Sequence, residues 1–117
     1  MRRTVPALAA LTLLLLAAPA SAQIAGTYAV EGTDPDKQKY GGTVTVTPIG
    51  ENFRVVWRIG KETYRGTGLA AGEALAVAYS WGKTTGVGLY VKQGGNWVGI
   101  WTGADQQGQG AEFWTRR

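Results

Sequence analysis

The sequence predicts an all-β domain, a small antiparallel up-and-down β-barrel of about eight strands. Three observations carry this. All 18 glycines, five tryptophans, five tyrosines and two phenylalanines lie after residue 22 of the 117-residue chain. Short β-prone runs there are separated by Gly-containing pairs, the pattern of successive hairpins. No segment of that region has the 3.6-residue apolar period of a stable helix.

The strands are read, in order, at residues 26–30, 42–48, 52–59, 62–70, 74–79, 85–93, 97–102 and 111–115. In the second, Val44 and Val46 alternate with Thr43, Thr45 and Thr47. In the third, Phe53, Val55 and Trp57 alternate with Arg54, Val56 and Arg58, and in the fourth Thr63, Arg65 and Thr67 share the polar face. The alanine-rich stretch 70–78 could suggest a helix. Gly72 interrupts it, however, and Leu75, Val77 and Tyr79 alternate as strand residues do.

The turns set the register. A two-residue Gly60-Lys61 loop places Trp57 opposite Tyr64, Val55 opposite Gly66 and Phe53 opposite Gly68. Gly72-Glu73 then brings Leu75, Val77, Tyr79 and Trp81 to the same face as Tyr64. Gly50-Glu51 sets Val44 and Val46 against Trp57 and Val55. Three turns agree on which face is inside, and a one-residue slip would reverse every face. At the next hairpin a three-residue loop, Gly94-Gly95-Asn96, is expected. It would put Trp97 and Trp101 inside together with Val87, Leu89 and Val91, whereas a two-residue Gly94-Gly95 turn would put the tryptophans on the opposite face from those three.

A sheet with one apolar face must close on itself or be covered, and no helix is at hand to cover it. Closure into a barrel follows. A two-sheet β-sandwich is the alternative, disfavoured because its Greek-key crossings need longer connections. Interior glycines such as Gly66, Gly68 and Gly99 would let the sheet coil tightly. Tyr40-Gly-Gly-Thr43 recurs as Tyr64-Arg-Gly-Thr67, a spacing that suits one two-strand unit.

The first 22 residues read as a signal peptide. Arg2 and Arg3 precede an apolar stretch at 7–18, and Ala20-Ser21-Ala22 supplies a small-x-small cleavage site before Gln23. The apolar stretch is shorter than the roughly 20 residues that span a bilayer. Residues 23–117 are therefore expected to be a single exported domain, periplasmic or secreted, with no membrane span after signal removal. Its net charge falls from +4 to +2 once Arg2 and Arg3 leave, which gives no basic stripe for nucleic acid.

The catalytic inventory is thin. Histidine and cysteine are absent, which removes the usual general base near neutral pH, disulfides, and most zinc or iron–sulfur ligands. Ser80 is the one serine outside the leader. Asp34-Pro35-Asp36 reads as a polar turn, in which proline fixes φ and the carboxylates cap backbone amides. No catalytic residues, metal site or cofactor are expected, and the chain reads as a non-enzymatic binding protein.

The mature start Ile24-Ala-Gly-Thr-Tyr-Ala-Val-Glu-Gly32, the Tyr40-Gly-Gly-Thr43 and Tyr64-Arg-Gly-Thr-Gly68 motifs, Val56-Trp57-Arg58-Ile-Gly60, and the ending Gly99-Ile-Trp-Thr102 … Gly110-Ala-Glu-Phe113 resemble small exported bacterial proteins labelled "fibronectin-binding protein". The resemblance implies adhesion to fibronectin or another host matrix protein. The outer arginines Arg54, Arg58 and Arg65, on one face of the 52–70 hairpin, are the candidate protein-binding surface. The alternative is a small-ligand carrier. Its candidate interior pocket comprises Trp57, Tyr64, Tyr79, Trp81, Trp97 and Trp101, suited to a small apolar or aromatic ligand.

Overall fold

The computed structural model describes residues 24–117, so the signal-peptide expectation lies outside the described residues. Eight strands form one closed antiparallel barrel in chain order. They are β1 (Gly26–Thr33), β2 (Lys39–Ile49), β3 (Asn52–Ile59), β4 (Glu62–Ala71), β5 (Ala74–Trp81), β6 (Thr84–Gln93), β7 (Asn96–Gly103) and β8 (Gly110–Arg116). β1 closes the ring against β8, with Val30 opposite Trp114. Closure leaves no free sheet edge and excludes the two-sheet sandwich.

Five hairpins turn on a two-residue Gly-X loop. Gly50, Gly60, Gly72, Gly82 and Gly94 open these loops with φ between +59° and +62°. A side chain at that φ would clash with its own backbone, so glycine is what permits the tight turn and its match to the strand twist. The β2–β3 and β3–β4 registers follow from these turns as the sequence predicts: Val44 pairs with Trp57, which pairs with Tyr64. Gly66 likewise pairs with Tyr79, and Gly68 with Val77.

The β6–β7 hairpin differs from expectation. Gln93 pairs with Asn96 across a two-residue Gly94-Gly95 turn, not a three-residue loop. Trp97 and Trp101 are still on the inner face, but their companions there are Tyr90, Gly88 and Gly86. Val87, Leu89 and Val91 point outward, at 57%, 51% and 47% exposure. The cause lies one hairpin earlier. The Gly82-Lys83 turn sets Tyr79 opposite Gly86 and Leu75 opposite Tyr90, which fixes the inner face of β6 before the chain reaches Gly94. On the outside, Leu69, Ala76, Leu89 and Ile100 then form one cross-strand row.

The glycines of the inner face have a common role. Directly opposed cross-strand pairs join an aromatic ring to a glycine: Tyr40 to Gly32, Tyr79 to Gly86, and Tyr90 to Gly99. Trp101 and Gly110 make a fourth such pair. In each, a Cβ added to the glycine would run into the ring opposite. The rings lie over bare backbone, as in the pairing of edge glycines with aromatics in curved sheets. A small barrel can thereby enclose far more aromatic volume than its circumference would otherwise admit. Gly99→Ala should cost about 1–3 kcal/mol by overpacking against Tyr90 and the Leu89 carbonyl. Gly95→Ala, which meets nothing within 4 Å, should be close to neutral. Urea melts of the two variants check this, and equal losses would contradict the ring-over-glycine packing.

The core comprises Tyr28, Val30, Val44, Val46, Phe53, Val55, Trp57, Leu75, Val77, Tyr90, Trp97 and Trp114, with Ile24 closing one end. Trp57 is 5% exposed, while its neighbour Arg58 faces solvent. Trp57→Ala should therefore cost about 3–5 kcal/mol, and Arg58→Ala no more than about 0.5 kcal/mol. Comparable shifts in the two denaturation midpoints would reverse the face assignment.

Candidate functional site

The two ends of the barrel are built differently. At the end that carries both termini of the barrel domain, the Tyr28 hydroxyl donates to the Ile24 carbonyl at 2.6 Å and accepts from Arg116 Nη2 at 2.7 Å. Arg116 Nη1 donates to the Ala25 carbonyl at 3.0 Å, and its guanidinium stacks 4.8 Å from the Tyr28 ring centre. Trp97 packs beneath, 1% exposed. That end is plugged.

At the opposite end, where the β1–β2, β3–β4, β5–β6 and β7–β8 connections lie, a cavity of about 320 Å³ enters the barrel. Tyr40, Trp57, Ile59, Tyr64, Tyr79 and Trp101 form its walls, with Asp34 and Gln106 from the connecting loops at its mouth and Tyr90 and Glu112 deeper in. The rings meet edge to face. Trp57 and Tyr79 lie 5.9 Å apart at 64°, Tyr64 and Tyr79 6.3 Å apart at 75°, and Tyr79 and Trp101 6.3 Å apart at 77°. This is the arrangement in which a positive ring edge meets a negative ring face.

Glu112 is the one buried charged residue of the described core, at 7% exposure. Its carboxylate accepts four hydrogen bonds. Tyr90 Oη at 2.8 Å, Trp114 Nε1 at 2.9 Å and Trp57 Nε1 at 3.2 Å converge on Oε1. Tyr40 Oη donates to Oε2 at 2.6 Å. An indole N–H can only donate, so Oε1 is held as an acceptor. Four strands thus meet on one carboxylate: β2 through Tyr40, β3 through Trp57, β6 through Tyr90, and β8 itself.

The phenols respond to this environment. Burial, reinforced by the negative charge of Glu112 and its hydrogen bond, pushes Tyr90 and Tyr40 well above the usual tyrosine range. Burial and the Glu112 charge push Tyr79 up to about 12. Tyr64, nearer the mouth, is raised by burial and then by Glu62. Trp101 Nε1 is buried and meets no acceptor within hydrogen-bonding geometry among the described residues, although it lies close enough to Tyr40 to ease that phenol's ionisation slightly.

Of the six residues expected to line an interior pocket, Trp57, Tyr64, Tyr79 and Trp101 do so. Trp97 does not. It belongs to the plugged end, where its Nε1 lies 3.4 Å from the Tyr28 hydroxyl. Trp81 does not either: it stands at the rim, 42% exposed, stacked 5.7 Å from Tyr64 and donating from Nε1 to Glu62 at 2.8 Å. Both follow from depth along the barrel axis, since the two residues sit at opposite strand ends.

Tyr40, Tyr90 and Glu112 were not singled out in the sequence. Two of them had a signal. The Tyr40-Gly-Gly-Thr43 and Tyr64-Arg-Gly-Thr67 repeat puts both tyrosines at equivalent inward positions of the mouth. Carrying the Gly-X turn through Gly82-Lys83 turns Tyr90 inward. Glu112 has no such signal, because a glutamate in an alternating strand reads as solvent-facing.

Asp34 behaves as a turn residue, its Oδ1 accepting from the Asp36 and Gln38 amides at 2.9 Å each. Arg54, Arg58 and Arg65 are exposed on the outer wall in the expected register, with Arg65 opposite Val56. Arg54 and Arg65 border a broad open depression floored by the small side chains of Thr67, Ala78, Ser80 and Thr102.

No protein-family profile and no curated protein matches the chain. Solved structures do resemble it. A redesigned β-barrel superposes with a TM-score of 0.73 at 17% identity, over 84% of this chain and 95% of that one. The redesigned barrel mFAP1, described as bound to DFHBI, gives a TM-score of 0.68 at 17% identity, over 86% and 100%. A de novo designed fluorescence-activating β-barrel gives 0.67 at 14% identity, also over 86% and 100%. At these identities the likeness is one of fold.

Proposed function

We propose that this protein is an exported, non-enzymatic carrier that holds a small aromatic ligand in the open end of its barrel. The observation that carries this reading is the cavity itself. About 320 Å³ of space, open at the barrel end, lies between ring-bearing walls around a buried carboxylate, the usual combination of a mostly apolar small-molecule site with a few fixed polar groups. The designed barrel mFAP1 supports the reading by analogy, since its barrel is described with the small aromatic ligand DFHBI bound. Export rests on Arg2, Arg3, the apolar stretch and Ala20-Ser21-Ala22, and N-terminal sequencing of the exported protein should begin at Gln23. The fibronectin partner rests on the resemblance and the outward arginines.

A neutral, environment-sensitive naphthalene dye tests the pocket. Its emission should rise and saturate on titration with the protein. Ile59→Trp, which places an indole in the mouth, should abolish the rise while leaving the urea midpoint in place. A dye that never saturates, or one indifferent to Ile59→Trp, would sink the pocket reading.

A further inference from the structure

We infer that the ligand this cavity selects is a cation, an ammonium group carried on a small aromatic or alkyl body, bound between the ring walls and Glu112. This deepens the ligand-binding reading above and rests on it. Among the described residues, the charged side chains that line the cavity are Glu112 and Asp34, both acidic, and no lysine or arginine lines it. Lys37, Lys61 and Lys83 lie on connections at this end of the barrel, outside the lining. Glu62 adds a third carboxylate at the rim, holding Trp81 in place at 2.8 Å.

The hydrogen-bonding pattern of Glu112 leaves its charge uncancelled. Its four donors are neutral hydroxyl and indole groups, which orient the carboxylate without supplying a positive charge. Three of them crowd Oε1, whereas Oε2 takes one. A carboxylate oxygen has two acceptor positions, so Oε2 retains one for an N–H donor.

The walls favour the same sign. Tyrosine and tryptophan rings present negative faces, and a cation near such a face gains most when water is excluded. Burial is the larger cause of the raised tyrosines, and the Glu112 charge adds its own opposition to ionisation of Tyr40, Tyr79 and Tyr90. An anionic ligand would meet that same opposition, and a cation the reverse.

The test uses the unaltered protein and three ligands of one shape: phenethylamine, 2-phenylethanol and 3-phenylpropionate, followed by quenching of tryptophan emission. The amine should bind about tenfold or more tightly than the alcohol, and the carboxylate weakest. Asp34→Asn keeps the Oδ1 acceptor for the Asp36 and Gln38 amides and removes a charge. It should weaken the amine a few-fold and leave the alcohol unchanged. If the alcohol or the carboxylate binds as well as the amine, the charge selection is overturned while the pocket stands. The same conclusion follows if the naphthalene dye binds and the amine does not. If the dye and all three ligands fail, both readings fall together.

Discussion

Replacing Glu112 by leucine should destabilise the barrel by about 3–5 kcal/mol, a large part of the roughly 5–15 kcal/mol that holds a domain of this size folded. The carboxylate is the shared acceptor of Tyr40, Trp57, Tyr90 and Trp114. A buried donor that loses its acceptor costs about 1–3 kcal/mol. Tyr40, part-buried beside the cavity, can turn its hydroxyl to water, so the loss falls mainly on the two indoles and Tyr90. Leucine fills the volume and supplies no acceptor. Glu112→Gln keeps one carbonyl oxygen but sets an amide N–H₂ among donors, so its loss should be smaller than leucine's. Urea unfolding followed by tryptophan emission measures both. A leucine variant as stable as the parent would show that these donors find other partners and that Glu112 is not the structural centre of the core.

The second large effect lies at alkaline pH. Burial and the Glu112 charge hold the Tyr90 and Tyr40 hydroxyls protonated in the folded state well above their ordinary value of 10, and hold Tyr79 protonated to about 12. In the unfolded chain these phenols ionise near pH 10. A raised folded-state pKa contributes stability that is complete below the unfolded value. That stability is lost as pH climbs from about 10 toward the folded values, because the unfolded chain then releases protons the folded chain retains. Tyr90 alone gives a slope of about 1.4 kcal/mol per pH unit. Tyr40 and Tyr79, open to cavity water, add smaller amounts. The urea midpoint should fall steeply between pH 10 and pH 12, and Tyr90→Phe should flatten the fall at some cost in stability at neutral pH. An unchanged slope in that variant would place the released protons elsewhere.

The strands and most of the register were legible from residues close in sequence. Alternation in β2 to β5 shows which side chains share a face, and a two-residue Gly-X turn admits one pairing of the strands it joins. The β6–β7 hairpin shows where such reasoning went astray. Grouping Val87, Leu89 and Val91 with the tryptophans obeys hydrophobicity, but the Gly82-Lys83 turn had already committed β6 the other way. Gly86 and Gly88 look inert in sequence, yet they face inward because Tyr79 and Tyr90 need the space.

By itself, then, the sequence determined an eight-strand antiparallel barrel with an aromatic interior and an outer face carrying Arg54, Arg58 and Arg65. These follow from local rules, a period of two and turns of two residues, which act between neighbours along the chain. Only the tertiary structure decided which rings plug one end and which line the cavity at the other. Trp97 and Trp57 both point inward but lie toward opposite ends of their strands, and only closure of β1 against β8 turns one of those ends into a plug and the other into a cavity. Only closure, too, brought Tyr40 and Trp57 onto Glu112, from positions 72 and 55 residues away. A buried carboxylate is stable there because four donors from different strands converge on it, and no stretch of the chain contains that convergence until the ring is shut.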